Sequence, residues 1–350
     1  MTTTVLELAR AAYRGISLYA PNRAPAAIDL SDNTNLWGVP PAAMRAISNA
    51  TTASVTRYPS LYAADLKRAI AGYLGVTPDM IVTGCGSDDI LDSTIRAFGV
   101  PGDIVACPDP SFAMIPILSR MNGLACEEIP LTDSNDADVA RYIATGATIN
   151  YLCSPNNPTG TAFSRDVIEC VVSNAKGVVI IDEAYAEFNS WNCIDLLQRS
   201  DRVVITRTLS KAFGLAGLRV GYAVGDPFLV AEIEKSRGPY KVSSIAERAA
   251  VAAVTEDRAW VDERVREAIA NRKRLIDALS ELGLSSLHSD SNFVLVPVAN
   301  AEDLDRALRN GGIAVRPFTS LPRIGDALRI SVGPWSMLEQ CVDALKSLIA

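Results

Sequence analysis

The stretch Thr208-Leu-Ser-Lys-Ala-Phe-Gly-Leu-Ala-Gly-Leu-Arg219 sets a lysine, two hydroxyls, two glycines and an arginine on one short segment. Lys211 follows the apolar run Val203-Val-Ile205, so it should emerge just past a buried strand, where open α/β sheets gather their ligands. Thr208 and Ser210 supply hydroxyls, Gly214 and Gly217 let a backbone approach a ligand, and Arg219 supplies a fixed cation suited to a phosphate. A lysine among phosphate-binding groups points to a Schiff base with an aldehyde cofactor anchored through its phosphate. Taken alone, the same residues also suit a solvated loop ahead of a helix.

Two further segments carry anion chemistry. Gly84-Cys-Gly-Ser-Asp-Asp89 follows the short strand-like run Ile81-Val-Thr83 and opens a helix reaching Phe98. Gly86 and Ser87 therefore sit at a helix N-terminus, whose N–H groups and dipole favour a phosphate; Asp88 and Asp89 also suit plain N-terminal helix charges. Arg329, in Leu328-Arg-Ile-Ser-Val-Gly333, lies between apolar residues in a strand pattern. Burial there costs desolvation unless an anion meets it, so a substrate carboxylate held bidentately is the natural use and an internal salt bridge the alternative.

These segments resemble the cofactor-lysine motif and phosphate loop of the fold-type I pyridoxal-phosphate aminotransferases, most closely the histidinol-phosphate aminotransferase group. The likeness covers roughly residues 28 to 340. It implies pyridoxal 5'-phosphate as cofactor, joined to Lys211, with Gly86, Ser87, Asp88, Thr208, Ser210 and Arg219 around its phosphate. Asp182 ends the apolar strand of Gly177-Val-Val-Ile-Ile-Asp-Glu-Ala-Tyr185 and would pair with the pyridine nitrogen, keeping the ring an electron sink. Tyr185 would donate to the ring oxygen. Asn157, in Ser154-Pro-Asn-Asn-Pro-Thr-Gly160, resembles the family's Asn-Pro-Thr-Gly signature and would bond the same oxygen. Phe112, in Pro108-Asp-Pro-Ser-Phe112, stands where the family stacks an aromatic on the ring. Leu30-Ser-Asp-Asn-Thr-Asn-Leu-Trp-Gly38 is similar to a segment lining the substrate pocket: Asn33, Asn35 and Gly38 match, whereas Thr34, Leu36 and Trp37 depart. The implied substrate contacts are Asn33, Asn35, Trp37, Asn157, Arg316 and Arg329. Tyr58 matches a tyrosine that reaches the neighbouring subunit's site, implying a homodimer with shared active sites. Tyr240 lies in a family-like loop, and the Lys241 beside it reads as solvated.

Composition narrows the classes. The chain has 350 residues, 49% of them apolar, enough for one large core and a smaller lobe. A net charge of −7 with scattered lysines and arginines argues against a nucleic-acid partner. Seven cysteines without a CxxC pair indicate neither a zinc site nor a disulfide framework, and a reducing compartment. The opening Met1-Thr-Thr-Thr has no basic leader pattern and no run of apolar residues is long enough to span a membrane, so a cytoplasmic protein is expected. The single histidine, His288, excludes multi-histidine metal centres, leaves a Ser-His-Asp hydrolase only that base, and reads as a surface or packing residue. No metal is expected.

The elements that must position these groups follow from periodicity. Apolar strands beginning near 81, 104, 149, 178 and 203, with helical segments between, predict an α/β fold: a three-layer large domain on a mainly parallel mixed sheet. Helices are expected over 4–18, 42–49 and 65–74, and a long charged helix over Ile245 to Leu282 after Gly238-Pro-Tyr-Lys-Val-Ser-Ser244. Strands Ser291–Val296 and Gly312–Arg316 then belong to a smaller α+β domain. The expected division is an N-terminal arm (1–27), a large cofactor-binding domain (28–245), a linking helix (246–284) and a small C-terminal domain (285–350); the resemblance implies the pyridoxal-phosphate fold type I.

The function so implied is transfer of an amino group from an amino acid to a keto or aldehyde acceptor, imidazolyl or otherwise amino-acid-like, with Lys211 moving a proton as general base and acid. A lyase, decarboxylase or cyclase on the same scaffold is the alternative. A non-catalytic regulatory relative fits less well, because Lys211, Asp182, Asn157, Tyr185 and Arg219 are all intact.

Overall fold

In the computed structural model, which describes residues 8–18 and 24–349, the short strand β1 (Ile28–Asp29) precedes seven strands that share one sheet. These are β2 (Ile81–Cys85), β3 (Ile104–Asp109), β4 (Ala125–Pro130), β5 (Ile149–Cys153), β6 (Val178–Asp182), β7 (Val203–Thr208) and β8 (Val220–Gly225). Their order is β2-β8-β7-β6-β5-β3-β4. Only β8 runs against its neighbours; the other pairs are parallel.

Side-chain alternation splits each strand between two apolar layers. Val178 and Ile180 join Val82, Val105 and Tyr151 on one face, while Val179 and Ile181 join Ala106, Leu152 and Ile205 on the other. Helices Ser87–Phe98, Met114–Met121 and Pro227–Arg237 cover the first face; Ala64–Leu74, Val139–Thr145, Arg165–Asn174 and Ser244–Thr255 pack on the second. Every residue of β5 and β6 is buried, as continuous apolar runs between two helical layers require. The three-layer α/β architecture is thus the one expected.

The C-terminal part adds β9 (Phe293–Pro297), β10 (Ile313–Ala314), β11 (Arg316–Leu321) and β12 (Gly325–Ser331). β11, β12 and β9 form an antiparallel sheet in that order, and β10 pairs in parallel with β1. The single strand expected over Gly312–Arg316 is therefore two, in different sheets, divided at Val315. Helices Ala301–Asn310 and Trp335–Ile349 accompany these strands.

The linking helix expected over 246–284 is also two, Ser244–Thr255 and Arg258–Glu281. At the break the buried Asp257 carboxylate accepts from the N–H groups of Ala42 and Ala43 at 2.8 and 3.0 Å, satisfying the start of helix Pro41–Ser48. Residues 4–7 of the expected N-terminal helix lie outside the described residues; in the rest the helix is interrupted at Ala9 and Arg10 and resumes over Ala11–Arg14, and none of it is buried. No helix among the described residues is long and apolar enough to cross a membrane.

Candidate active site

The C-terminal ends of β2, β3, β5, β6 and β7 share one edge of the sheet, because β2 is related to β7 through the reversed β8. A cavity of about 420 Å³ opens there, a size suited to a small ligand. Asn33, Ser87, Asp88, Phe112, Asn157, Asp182, Tyr185, Thr208, Ser210, Lys211, Arg219, Arg316 and Arg329 all line it. Residues far apart in sequence are thus brought together by strand ends.

Lys211 follows β7, and its Nζ donates to the Asp32 carbonyl at 3.1 Å. Burial, reinforced by the nearby Arg329 guanidinium, lowers its pKa to about 8, so the nucleophilic free amine is reached close to neutrality. Asp182 closes β6 and is 3% exposed. Its Oδ2 accepts from the Tyr151 phenol at 2.8 Å and its Oδ1 from the Ala184 N–H at 3.2 Å. Burial raises its pKa to about 6, opposed by the Tyr151 hydrogen bond.

The neighbouring polar groups hold one another. Asn33, with φ of 58°, receives the Ser331 hydroxyl on its Oδ1 at 3.0 Å and donates its Nδ2 to the Tyr185 oxygen at 3.1 Å. Burial pushes the Tyr185 phenol well up, so it stays protonated. Thr208 donates its hydroxyl to Ser210 Oγ at 3.0 Å and accepts the Ser210 N–H at 3.1 Å.

At the start of helix Ser87–Phe98, Gly86 stands beside the cavity wall, where a Cβ would overlap the Arg219 guanidinium. Arg219 is half-exposed and pairs with Asp88 at 3.2 Å. A glycine that sequence reasoning missed completes this corner: at Gly221 a Cβ would overlap the backbone of Gly86 and Ser87, so only glycine lets β8 pass so close to the helix N-terminus.

Arg329 and Arg316 are direct partners across β12 and β11 and both reach the cavity. Arg329 is 8% exposed; its Nη1 donates to Asn157 Oδ1 at 2.6 Å and its Nη2 to the Ser31 carbonyl at 2.7 Å. Arg329 thus meets oxygens of two neutral groups and also lines the cavity.

Three expectations do not hold as stated. Asn35 does not line the cavity: its amide donates to the Ala212 carbonyl at 2.9 Å and its Oδ1 accepts the Trp37 N–H at 2.9 Å, so it braces the loop behind Lys211. Trp37 packs against the main core instead of facing a substrate. Tyr58, expected at a neighbouring subunit's site, is 84% exposed and stacks on Tyr240 at 5.0 Å, outside this chain's own cavity. Lys241 is not simply solvated: its ammonium pairs with Asp89 at 3.0 Å, and Asp89 also accepts the Cys85 N–H at 3.0 Å. His288 is exposed beside Asp290, as expected.

Ser31, Asp32, Ser111, Met114 and Phe318 also line the cavity. Their positions beside Asn33, Phe112 and Arg316 were the available signal. Tyr151, behind Asp182, was hidden inside a strand read only as apolar. Among the described residues no cluster of side chains could hold a metal ion.

Residues 25–345 match the aminotransferase class I and II family. Histidinol-phosphate aminotransferase 1 of Trichormus variabilis is 35% identical over 331 residues, covering 94% of each chain. The histidinol-phosphate aminotransferase of a Synechocystis species is 36% identical, covering 97% of each. The crystal structure of the Sinorhizobium meliloti histidinol-phosphate aminotransferase in complex with pyridoxal-5'-phosphate superposes with a TM-score of 0.82 at 26% identity, covering 93% of this chain and 91% of that one. The donor set here suits that cofactor: a helix N-terminus, hydroxyls and a guanidinium form an anion corner whose close approach depends on Gly86 and Gly221, a buried carboxylate lies on the wall, and a lysine with weakened proton affinity shares the cavity. With family, cavity and donor set in agreement, the chain belongs to the class I and II aminotransferases and is a pyridoxal-phosphate-dependent enzyme of fold type I.

Proposed function

We propose that the chain passes an amino group between an amino acid and a keto or aldehyde acceptor whose far end is anionic, histidinol phosphate being the amine suggested by the relatives' names. The observation that carries this reading is the one cavity shared by the Lys211 amine of lowered proton affinity, the buried Asp182 carboxylate and the paired Arg316 and Arg329 guanidiniums. Bound there, pyridoxal phosphate supplies an aldehyde for the amine and an electron sink for the carbon that loses a proton.

The chain's own residues do the rest. Ser87, Thr208, Ser210, Arg219 and the backbone at Gly86, Ser87 and Asp88 would hold the phosphate. Asp182 would meet the ring nitrogen, Asn157 and Tyr185 would bond the ring oxygen, and Phe112 would cover the ring face. Lys211 takes a proton from the substrate α-carbon and returns it as acid, a role its lowered proton affinity suits. Arg329, with Arg316 beside it, holds the carboxylate or phosphate end of the substrate, and Asn33 sets the Tyr185 hydroxyl.

The same reading takes the protein as a cytoplasmic homodimer in which Tyr58 serves the partner's site. The exposure of Val55, Tyr58, Leu61 and Tyr240 on one chain supports a covered face there. It keeps an arm over 1–27, a cofactor domain over 28–245 and a small domain over 285–350, with the two helices of 246–284 between them.

The test is to mix cofactor-loaded protein with a panel of amino acids, histidinol phosphate and histidinol, and to follow the absorption spectrum. Conversion to pyridoxamine phosphate, with histidinol phosphate favoured over histidinol, supports the reading. Release of carbon dioxide or of an eliminated group instead would replace it with the lyase alternative.

A further inference from the structure

Tyr151 is fully buried in an otherwise apolar layer, on the face of β5 shared with Val105, Ile180 and Val204. A phenylalanine would fill the same space, so the hydroxyl must be there for its hydrogen bond, since a buried hydroxyl without a partner is costly. That bond goes to Asp182 Oδ2 at 2.8 Å. The strand register makes this reach possible: Tyr151 pairs with Ile180 and Cys153 with Asp182, so the phenol runs along the sheet face toward the end of β6. The backbone of Tyr151 is itself anchored, its carbonyl accepting the Tyr142 hydroxyl at 2.8 Å.

We propose that Tyr151 is a positioning residue for amino transfer, whose phenol fixes the plane of the Asp182 carboxylate and keeps it ionised where it meets the cofactor ring. The two carboxylate oxygens are held separately, Oδ2 by Tyr151 and Oδ1 by the Ala184 N–H at 3.2 Å. Rotation of the carboxylate therefore breaks one bond or the other. The phenol also acts on charge. Asp182 faces Tyr151 and Cys153 from β5, Asp88 from helix Ser87–Phe98 and Tyr185 just beyond its own strand. Burial and Asp88 favour the neutral acid; the Tyr151 hydrogen bond, ahead of Thr206 and the Ala184 N–H, favours the carboxylate. Removing the hydroxyl should let Asp182 keep its proton to higher pH. The inference rests on the reading that Asp182 serves the ring nitrogen.

The experiment compares wild type with Tyr151→Phe, Asp182→Asn and the double variant. Cofactor affinity of each apoprotein is measured by fluorescence titration from mildly acidic to alkaline pH, alongside kcat and KM with one amino donor and a thermal melt. For Tyr151→Phe the acid limb of cofactor affinity is expected to move up by about one pH unit while the alkaline limb, set by Lys211, stays in place. Turnover should fall about tenfold with KM for the donor unchanged, the size expected for a hydrogen bond to a charged group. In the Asp182→Asn background the same substitution should do nothing further to either readout. An unmoved acid limb, or an equal loss in the Asp182→Asn background, would assign Tyr151 to packing alone. Should Tyr151→Phe melt far below wild type, Tyr151→Met serves as the second probe: it also lacks the hydroxyl, and an unmoved acid limb in it overturns the proposal equally. Wild-type turnover in Asp182→Asn would instead remove the role given to Asp182, which is a separate outcome.

Discussion

Replacing Arg329 with lysine keeps the charge and removes the planar fork. In the structure two arms of that fork already reach Asn157 Oδ1 at 2.6 Å and the Ser31 carbonyl at 2.7 Å. A single ammonium cannot span both acceptors and also present paired donors to a substrate anion. Hydrogen bonds involving a charged group contribute about 1.5–3 kcal/mol each, so kcat/KM for the anionic substrate should drop by about 2–3 kcal/mol, roughly 30- to 150-fold. Most of the loss should fall on KM. Because Arg329 also holds Asn157, cofactor affinity should weaken as well, by less than about tenfold, the share of one neutral hydrogen bond. The assay is steady-state kinetics with histidinol phosphate and with histidinol, plus a cofactor titration of the apoprotein. The variant should lose most of the preference for the phosphorylated substrate. Unchanged KM and unchanged preference would refute the reasoning, reduce Arg329 to a brace for Asn157 and Ser31, and leave Arg316 as the anion ligand.

Gly221→Ala places a methyl group against the Gly86 and Ser87 backbone, and overpacking of this kind costs about 1–3 kcal/mol. Cofactor affinity should fall with it, and a titration that matches wild type would show that the helix N-terminus does not bind the phosphate. Lys211 loses its proton near pH 8 in the folded apoprotein and near 10.5 in the unfolded chain. Between these values the unfolded state holds more protons, so apoprotein stability should rise with pH across that window and be flat below it as far as this group is concerned. Denaturant titrations of Lys211→Met should lack the rise; an identical slope would contradict the burial of the ammonium. Tyr58→Phe and Lys211→Ala proteins, each poorly active alone, should regain activity after verified subunit exchange, since one site of the mixed dimer then has both residues; a fully active monomer on dilution would sink the shared site.

The cavity's main groups were legible because each sits where a strong local signal ends. Asp182 and Lys211 follow runs of apolar residues long enough to be buried strands, and Ser87 opens a helix with acidic residues in its first turn. The fold was read less fully where packing overrules local pattern. β4 escaped because Glu127 and Glu128 break its apolar alternation, which an edge strand tolerates. β8 escaped because Gly221 and Gly225 weaken its strand propensity, although Gly221 is required by the neighbouring helix. The long helix read as continuous because its periodicity carries through Asp257; the contacts made at the break, from the N–H groups of Ala42 and Ala43, come from far away in sequence. Asn35 and Trp37 were misplaced for the same reason. Their residue types suit a pocket, but the amide is spent on Ala212 and the indole on the core. Tyr151 shows the converse, a functional contact hidden in a strand because periodicity reports which face a side chain takes and not what its tip reaches.

Borohydride reduction of the cofactor-loaded protein, followed by proteolysis and mass spectrometry, tests most directly that Lys211 is the residue on which the chemistry is built. The reduced cofactor should be found on the peptide containing Lys211, and Lys211→Ala should show no labelled peptide and no turnover. Label on another lysine, such as Lys241, with Lys211 unmodified, would contradict it.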